Sequence, residues 1–266
     1  MFKIFKKKIT SNEPRVTSND APPAHIAFIC DGNRRWAKDR GMSPLMGHRA
    51  GVGGFTDLID FFIARGVTTL TFWIFSTENW NRSKEEIDFL MKLYEEVFDD
   101  NHKKAAEKNL RFRIIGRRDR IPKRLMKKSE KLEKDTAENT GGTIVFALDF
   151  GGQDEIIRAA NDAIEYYRNN PKDTAPLTSA DFETFMDTGD LLPIDMVVRT
   201  SNENRVSNYL LWKLAYAELF FVPEHWPDYV KSQDSWEKTL AEFRQRTRRF
   251  GGGKEKDYSG NKKEKK

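Results

Sequence analysis

Short apolar segments alternate along the chain with longer segments in which apolar residues recur at helical spacing. The first apolar segment runs from His25 to Cys30 and leads directly into polar residues. Continuous apolar runs of this length are typical of strands that are buried on both faces of a sheet. The predicted strands are 25–30, 68–75, 110–115, 143–150, 194–199 and 218–222.

Helical patterns lie near 48–65, 83–108, 119–139, 152–169, 206–217 and 233–248. Ser83, three residues before Glu86, and Ser179, two residues before Asp181, indicate helix starts. This alternation predicts an α/β fold: a single domain whose mainly parallel sheet of about six strands is flanked by helices on both faces. We assign 1–20 to a flexible basic leader, 21–252 to the domain and 253–266 to a Lys-rich disordered tail.

Composition supports a folded core, because 38% of the 266 residues are hydrophobic and include six Trp and nineteen Phe. The charged fraction of 33% and the mean hydropathy of -0.71 indicate a soluble surface. No apolar run approaches the roughly 20 residues of a membrane-spanning helix. The single cysteine, Cys30, excludes an internal disulfide and fits a reducing, cytoplasmic compartment, and its place in an apolar strand favours an inert thiol.

The formal net charge of +5 is unevenly placed, since residues 254–266 carry six lysines against three acidic residues. The simplest interpretation is a solvated tail, and peripheral contact with an anionic membrane surface is the second. Tyr258 is the only aromatic residue of this tail, which argues against nucleic-acid binding.

Polar residues gather beside four of the predicted strands, and we expect all four groups at equivalent strand ends, where the sites of parallel sheets lie. The first group follows strand 25–30, the second follows 68–75, the third follows 194–199 and the fourth is a single carboxylate. Their members are Asp31, Gly32, Asn33, Arg34 and Arg35 with His48; Ser76, Thr77, Glu78, Asn79, Trp80 and Arg82; Arg199, Arg205 and Ser207; and Glu218.

Asp31 precedes a predicted helix start, which presents unpaired backbone N–H groups and suits a phosphate. Arg199, Arg205 and Ser207 could grip a diphosphate, because guanidinium groups match phosphate oxygens. Asp31 and Glu218 could supply the one or two carboxylates that Mg²⁺ takes besides phosphate and water.

Each feature also has a simpler interpretation. Asp31-Gly32-Asn33 is a turn signal by itself, His48 could be a core histidine, Glu218 could pair with an arginine and Trp80 could be a hydrophobic plug. A nucleotide-binding protein is disfavoured, because no strand precedes the glycines at 51–54 and no Lys-Ser/Thr follows them.

Four ordered motifs resemble the cis-prenyltransferase family, and in particular its undecaprenyl diphosphate synthase type. They run from about His25 to Gly252, nearly the whole predicted domain. The motifs are Asp31-Gly32-Asn33-x-Arg35-Trp36-Ala37, Gly47-His48-x-x-Gly51, Phe75-Ser76-x-Glu78-Asn79-Trp80-x-Arg82, and Arg199-Thr200 through Glu203, Arg205, Ser207-Asn208 and Leu210-Leu211-Trp212 to Ala215-Tyr216-x-Glu218.

The resemblance implies a Mg²⁺-dependent homodimeric transferase that adds isopentenyl diphosphate units to an allylic diphosphate, usually farnesyl diphosphate, around an apolar tunnel. It implies that Asp31 and Glu218 hold Mg²⁺, that Asp31 and Asn79 serve catalysis, and that Arg249 and Gly251 reach the partner subunit's site. Arg199, Arg205 and Ser207 would hold isopentenyl diphosphate. The remaining substrate contacts it implies are Gly32, Asn33, Arg34, Arg35, Trp36, Arg40, His48, Ser76, Thr77, Glu78, Trp80 and Arg82.

The chain departs from the family pattern at several positions. Pro44 stands where the family often has an Arg, Gln153 follows two glycines where an Arg is common, and Asn202 and Asn204 replace a usual Gly and a frequent Gln or His. These departures concern substrate geometry rather than reaction type. A non-catalytic subunit of the same fold is the alternative, and it is disfavoured because Asp31, Arg35, Arg199 and Arg205 are all present. A trans-prenyltransferase is disfavoured because no Asp-Asp-x-x-Asp motif occurs.

Overall fold

Six parallel strands form the central sheet of the computed structural model, which describes residues 21–246. The strands are β1 (His25–Ile29), β2 (Thr69–Ser76), β3 (Leu110–Ile115), β4 (Gly142–Phe150), β5 (Met196–Arg199) and β6 (Glu218–Phe221). Their order across the sheet is β3-β4-β2-β1-β5-β6, and every neighbouring pair is parallel. The predicted α/β fold with a six-stranded parallel sheet is therefore confirmed.

Nine α-helices lie within the described residues: α1 (Asn33–Asp39), α2 (Pro44–Val52), α3 (Phe55–Ala64), α4 (Lys84–Lys108), α5 (Lys123–Asp135), α6 (Gly152–Asn169), α7 (Ser179–Glu183), α8 (Trp226–Tyr229) and α9 (Gln233–Gln245). A 3₁₀ turn, Thr77–Asn81, follows β2. None of the helices in this part of the chain is both long enough and apolar enough to cross a membrane.

Alternate residues of β1 to β5 pack into two separate apolar clusters, one on each face of the sheet, whereas β6 at the edge contributes only Phe220 to the larger one. Ile26 and Phe28 of β1 belong to the larger cluster, whereas Ala27 and Ile29 belong to the smaller one. Helices α3, α4, α5, α8 and α9 contribute to the larger cluster. Because both faces are covered, the strands are apolar at nearly every position, which is the pattern that made them predictable.

The predicted helices differ from the structure in three places. The single helix expected over 48–65 is two helices, α2 and α3, separated by Gly53 and Gly54. A Cβ atom at Gly54 would come within 2.2 Å of the Val230 carbonyl oxygen, so this junction packs closely against the loop after α8. No helix forms over 206–217, which is a series of turns. The cap of α7 is Thr178 rather than Ser179, since the Thr178 side chain accepts a hydrogen bond from the Asp181 N–H.

Helix α4 begins as predicted, with the Ser83 side chain accepting from the Glu86 N–H. The leader 1–20, the tail 253–266 and the partner-reaching Arg249 and Gly251 lie outside the described residues. Their assignments therefore stay predictions.

Candidate active site

A cavity of about 570 Å³ opens where β1, β2 and β5 end, at the carboxyl edge of the sheet. One part of its lining is polar and the other is apolar. The polar lining consists of Asp31, Asn33, His48, Ser76, Glu78, Asn79, Arg82, Arg199, Ser207 and Asn208. The apolar lining includes Ile29, Val52, Phe55, Trp73, Ile74, Phe75, Leu90, Leu93, Tyr94 and Trp226. Residues from the first three predicted polar groups thus meet in one cavity.

Asp31 stands two residues after the end of β1, and its carboxylate is held by two arginines. Arg199 Nη2 donates to Asp31 Oδ2 at 2.9 Å, and Arg35 Nη2 lies 3.2 Å from Oδ1. The Gly32 N–H donates to Oδ1 at 2.6 Å. Burial by itself raises the pKa of Asp31, but the Arg199 hydrogen bond and the charges of Arg199 and Arg35 outweigh it, so the pKa lies below its usual value. The carboxylate is therefore ionised at neutral pH.

Gly32 must be glycine for two reasons. Its φ of 97° lies in the left-handed region, and a Cβ atom would come within 1.8 Å of Ser201 Oγ. This close packing joins the start of α1 to the loop after β5.

Arg199 ends β5 and is 5% exposed. Its Nη1 donates to Ser207 Oγ at 2.8 Å and to the Arg205 carbonyl. Its Nε is buried and has no hydrogen-bond partner among the described residues. A buried guanidinium nitrogen without an acceptor is costly, and a bound oxyanion would remove that cost.

The loop after β5 holds several non-glycine residues at positive φ. They are Ser201 at 73°, Asn202 at 55°, Ser207 at 48°, Asn208 at 68° and Leu210 at 43°. Backbone strain of this kind costs energy and clusters at functional sites. The same strain explains why the segment does not continue as the predicted helix.

Glu203 joins two of the predicted diphosphate-binding arginines. Arg35 Nη1 donates to Glu203 Oε1 at 2.7 Å, and Arg205 pairs with Oε2. The side chains of Arg35 and Arg205 are 43% and 60% exposed and stand at the edge of the cavity rather than in its lining. Both guanidinium groups are thus available to an anion that enters from solvent.

Glu86 is a site residue that sequence reasoning used only as a helix-start signal. Its Oε1 lies 3.0 Å from His48 Nε2 and 3.0 Å from Arg82 Nη1, so one carboxylate orients two predicted substrate contacts. The His48 hydrogen bond and, against the effect of burial, the charge of Arg82 lower the pKa of Glu86. The only local signal is the four-residue spacing of Glu86 from Arg82, and it is weak because Arg82 precedes the Ser83 cap and lies outside α4.

Replacing Glu86 by Gln is expected to change how stability depends on pH. Because the folded pKa is lowered, ionised Glu86 stabilises the fold above the ordinary value of about 4.3, and this contribution is lost as pH falls through the lower folded pKa. Urea unfolding at pH 7 should therefore show Glu86→Gln to be less stable by about 1–3 kcal/mol. The difference from the unmodified protein should shrink at pH 3. An equal difference at both pH values would contradict this, and exposed Glu85→Gln serves as the control.

Asn208 links three segments of the site. Its Nδ2 donates to Glu78 Oε1 at 3.0 Å, its Oδ1 accepts from the Gln153 N–H at 2.8 Å, and its carbonyl accepts from the Gly152 N–H at 2.6 Å. The backbone of Gln153, one of the departures from the family pattern, is therefore fixed to the loop after β5. Burial opposes but does not outweigh the Asn208 hydrogen bond, which helps to lower the pKa of Glu78.

Trp80 is anchored outside the cavity by Asp149, a buried carboxylate that pairs with the more exposed Arg120. Its Nε1 donates to Asp149 Oδ1 at 2.9 Å, and its ring packs against Phe75 with 5.1 Å between centroids. Asp149 is fully buried, and its carboxylate accepts hydrogen bonds from Arg120 Nε, at 2.9 Å, and from a second Arg120 nitrogen. Trp80 thus holds the 3₁₀ turn that carries Asn79.

Replacing Arg120 by Met is expected to lower the free energy of unfolding by about 2–3 kcal/mol, because the buried Asp149 carboxylate loses its counter-charge. Chemical denaturation measures this. The double variant Arg120→Met/Asp149→Asn should recover most of the loss, and Arg124→Met, which is 77% exposed, should stay within about 1 kcal/mol. Equal effects of Arg120→Met and Arg124→Met would contradict the prediction.

Several predicted contacts lie outside the cavity lining. Trp36 and Arg40 form an exposed cluster in which Trp36 Nε1 donates to Asp228 Oδ1 at 2.6 Å and the Arg40 guanidinium lies 4.3 Å from the Trp36 ring centroid. Arg34 is exposed, and Thr77 is half-buried in the 3₁₀ turn. Pro44 occupies the first turn of α2, where its fixed φ favours the helix.

The expectation that Glu218 lies at an equivalent strand end is wrong. Glu218 begins β6 and pairs with Met196, which pairs with Ile26 of β1. It is therefore roughly 15 Å from Asp31 along the strand direction alone. Its carboxylate lies 3.3 Å from Arg246 Nη1. The described chain does not bring the two proposed metal ligands together.

Cys30 lines the cavity beside Asp31. Burial, and then the charge of Asp31, raise the pKa of its thiol, so the thiolate is disfavoured. The apolar wall contributed by α4, including Leu90, Leu93 and Tyr94, was not predicted as part of a site. Its residues follow the ordinary pattern of a core-facing helix, and no sequence signal separates the two roles.

Most of the chain is similar in sequence to one protein family and to individual bacterial proteins with related names. Residues 29–251 match the family model described as putative undecaprenyl diphosphate synthase. The chain is 40% identical over 253 residues to an isoprenyl transferase from Listeria monocytogenes, with 94% of this chain and 100% of that protein covered. It is 38% identical over 238 residues to a ditrans,polycis-undecaprenyl-diphosphate synthase, (2E,6E)-farnesyl-diphosphate specific, from Pectobacterium atrosepticum, with 88% and 93% covered.

Among solved structures, the fold is similar to a lavandulyl diphosphate synthase from Lavandula x intermedia in complex with dimethylallyl diphosphate. The TM-score is 0.82 at 32% identity, and the match covers 86% of this chain and 98% of that one. The similarity therefore extends over nearly the whole described fold.

Proposed function

Because this chain belongs to the undecaprenyl diphosphate synthase family of isoprenyl transferases, we propose that it is a Mg²⁺-dependent cis-prenyltransferase. It condenses isopentenyl diphosphate units onto an allylic diphosphate, farnesyl diphosphate in the first instance, and makes a long-chain cis-polyprenyl diphosphate. Undecaprenyl diphosphate, the lipid carrier for cell-wall glycan synthesis, is the product that the relatives' names favour.

The observation that carries this proposal is the two-part lining of the cavity. Cationic and hydroxyl groups gather around Asp31 and Arg199, while aromatic and aliphatic side chains such as Phe55, Leu93 and Trp226 form the remainder. A ligand with a diphosphate head and a hydrocarbon body matches both parts. We propose that the apolar part is the entrance of the product tunnel.

Two diphosphate positions follow from the placement of the cations. The allylic diphosphate would lie at the start of α1, against backbone N–H groups, Asn33, Arg35 and His48. Isopentenyl diphosphate would lie beside Arg199, Arg205 and Ser207. The buried Arg199 Nε, a donor that has no hydrogen-bond partner among the described residues, supports an oxyanion at the second position.

Asp31 fits a magnesium ion that arrives with substrate. No group of three or more His, Cys, Asp or Glu side chains in the described residues could hold a metal ion by itself. Mg²⁺ commonly takes one carboxylate and completes its shell with phosphate and water, so the single ionised Asp31 is sufficient. When bound, the ion neutralises negative charge on the leaving diphosphate.

The chain's own residues supply the rest of the stabilisation. As the allylic C–O bond breaks, its electron pair leaves with the diphosphate, and the growing charge faces Arg35 and the helix N–H groups. The double bond of isopentenyl diphosphate attacks the allylic cation and forms the new C–C bond, and the condensed cation then transfers a proton to the released diphosphate or to water. Arg199 holds that second substrate in place, and Asn79, positioned through its Oδ1 by the Ser76 N–H at 3.1 Å, orients it.

The direct test incubates the purified protein with farnesyl diphosphate, labelled isopentenyl diphosphate and Mg²⁺, with and without detergent, and separates butanol-extractable products by length. A ladder that ends in a long polyprenyl product is expected. Its complete absence under all conditions would leave the alternative of a non-catalytic subunit with the same fold, which the retained Asp31 and Arg199 disfavour.

We further propose a homodimer in a cytoplasmic setting. Helix α6 exposes Ile157 and Ile164 at 62% and 50%, and Leu177 nearby in the chain is 43% exposed, so an apolar surface is available for a second copy. The single cysteine supports a reducing compartment. Sedimentation should give twice the 30.9 kDa chain mass, and Ile157→Glu should shift it toward the monomer. A monomer at all concentrations would overturn the dimer.

A further inference from the structure

A second concave pocket lies at the opposite edge of the sheet, at the amino ends of β2, β3 and β4. We call it the amino-end pocket. Its volume is about 260 Å³, and the charged residues of its lining are Arg111, Arg113 and Asp190. The remaining lining consists of Thr68, Thr69, Thr140, Gly141, Gly142, Thr143, Leu191 and Leu192. The proposed reaction does not use this region.

Strand register places three polar side chains in one row of this pocket. Arg111 of β3 pairs with Thr143 of β4, and Thr143 pairs with Thr69 of β2. Paired residues of parallel strands project from the same face of the sheet, so a guanidinium and two hydroxyls lie side by side. Thr69 is 5% exposed, and no hydrogen bond of either hydroxyl occurs among residues 21–246.

Arg111 has no ion-pair or hydrogen-bond partner in the described part of the chain, and its Nε is buried. Arg113, two residues along β3, pairs with Asp190, so the one carboxylate of the lining is already engaged. His25, which pairs with Thr69 in the neighbouring strand, is buried, and burial lowers its pKa to about 4, so it is neutral. The charged residues of the lining are therefore two arginines and one carboxylate, and that carboxylate forms its ion pair with Arg113.

Arg111 shares an unusual feature with Arg199 of the proposed substrate site. Only Arg111 and Arg199 have a buried Nε without a partner in the described range. Arg199 lies where a diphosphate is proposed to bind. A half-buried guanidinium without an acceptor is unfavourable, and a tetrahedral oxyanion would satisfy it together with the two threonine hydroxyls.

We propose that the amino-end pocket binds a small phosphate oxyanion through Arg111, Thr69 and Thr143, independently of the cavity at the carboxyl edge. Two sources share this chemistry: inorganic phosphate, and the inorganic diphosphate that the proposed reaction releases. The pocket has less than half the volume of the substrate cavity and no apolar extension comparable to it, so a prenyl diphosphate does not fit it.

The test uses the full chain with its threonine methyl groups isotopically labelled and follows their NMR shifts during titration with inorganic phosphate or, separately, inorganic diphosphate. Thr69 and Thr143 report on the amino-end pocket. Thr200, whose hydroxyl donates to the Asp31 carbonyl at 2.6 Å, reports on the substrate cavity. Saturable shifts of Thr69 and Thr143 are expected with at least one anion, and the anion that saturates at lower concentration identifies the source.

Arg111→Leu should raise the dissociation constant at Thr143 roughly 10- to 100-fold and leave the Thr200 titration unchanged. Arg124→Leu, an exposed arginine outside the pocket, is the matched control and should leave both unchanged. Shifts confined to Thr200, shifts that do not saturate, or equal titrations of Thr143 with and without Arg111 would overturn the proposal. If Arg111→Leu does not fold, Thr143→Val replaces it, with the Thr69 methyl group as the probe. A raised dissociation constant at Thr69 is then expected, and an unchanged one would overturn the proposal.

Discussion

Asp31→Asn is expected to lower turnover by roughly 10²- to 10⁴-fold, the largest effect on activity of any single substitution in this chain. Losing the carboxylate charge removes the ligand proposed for Mg²⁺, and metal stabilisation of a leaving diphosphate is worth several kcal/mol, each 1.36 kcal/mol being tenfold in rate. Asparagine keeps an oxygen for the Arg199 hydrogen bond, so the fold should persist.

The measurement is the initial rate of product formation at saturating substrates over a range of Mg²⁺ concentrations, with thermal unfolding as the check on folding. Asp39→Asn is the matched control, because Asp39 lies on α1 with a side chain 59% exposed and, among residues 21–246, its carboxylate contacts only His225, at 3.3 Å. Near-normal turnover of Asp31→Asn would remove Asp31 from its proposed role.

Arg199→Lys is expected to raise the KM for isopentenyl diphosphate by roughly 10- to 100-fold, with a smaller fall in kcat. The guanidinium of Arg199 contacts Asp31, Ser207 and the Arg205 carbonyl at once, and a lysine ammonium cannot reproduce that planar set of donors. The 5% exposure of Arg199 leaves no room for a lysine to find water instead.

Steady-state kinetics with each substrate varied in turn checks this, and Arg205→Lys provides the comparison at a residue whose side chain is 60% exposed. A smaller increase in KM is expected there, because solvent replaces part of the lost interaction. If Arg199→Lys raised the KM for the allylic diphosphate and left that for isopentenyl diphosphate unchanged, the two proposed substrate positions would have to be exchanged.

The strands were predictable because both faces of the sheet are covered. Phe28, Phe72 and Phe146 are all fully buried, and burial on two sides selects apolar residues at consecutive positions. The helix predicted over 206–217 was wrong for a related reason. Tyr209 and Leu210 are buried against the sheet from a series of turns, so their apolar character reports packing and not helical periodicity.

The site residues also fall into two groups, those that the sequence could place and those that it could not. Asp31 lies two residues after β1 and Arg199 is the last residue of β5, so local sequence was enough to place them at one edge of the sheet. Glu86 lies 38 residues from His48, and nothing in either segment indicates their contact. Glu218 was misplaced because an apolar run does not reveal which of its ends faces the site.

By itself, therefore, the sequence determined the succession of the six strands, the acidic and basic groups at the ends of β1 and β5, and the family. The tertiary structure alone decided that Glu86 orients His48 and Arg82, that Asp149 anchors Trp80 and that Glu218 lies away from Asp31. It also decided that Arg111 has no hydrogen-bond or ion-pair partner within residues 21–246. The physical reason is the distance along the sequence between the residues that interact. Burial of a strand and the chemistry at its end depend on consecutive residues, so the sequence shows them directly. Pairing between distant charges depends on strand order and register, which only the folded chain establishes.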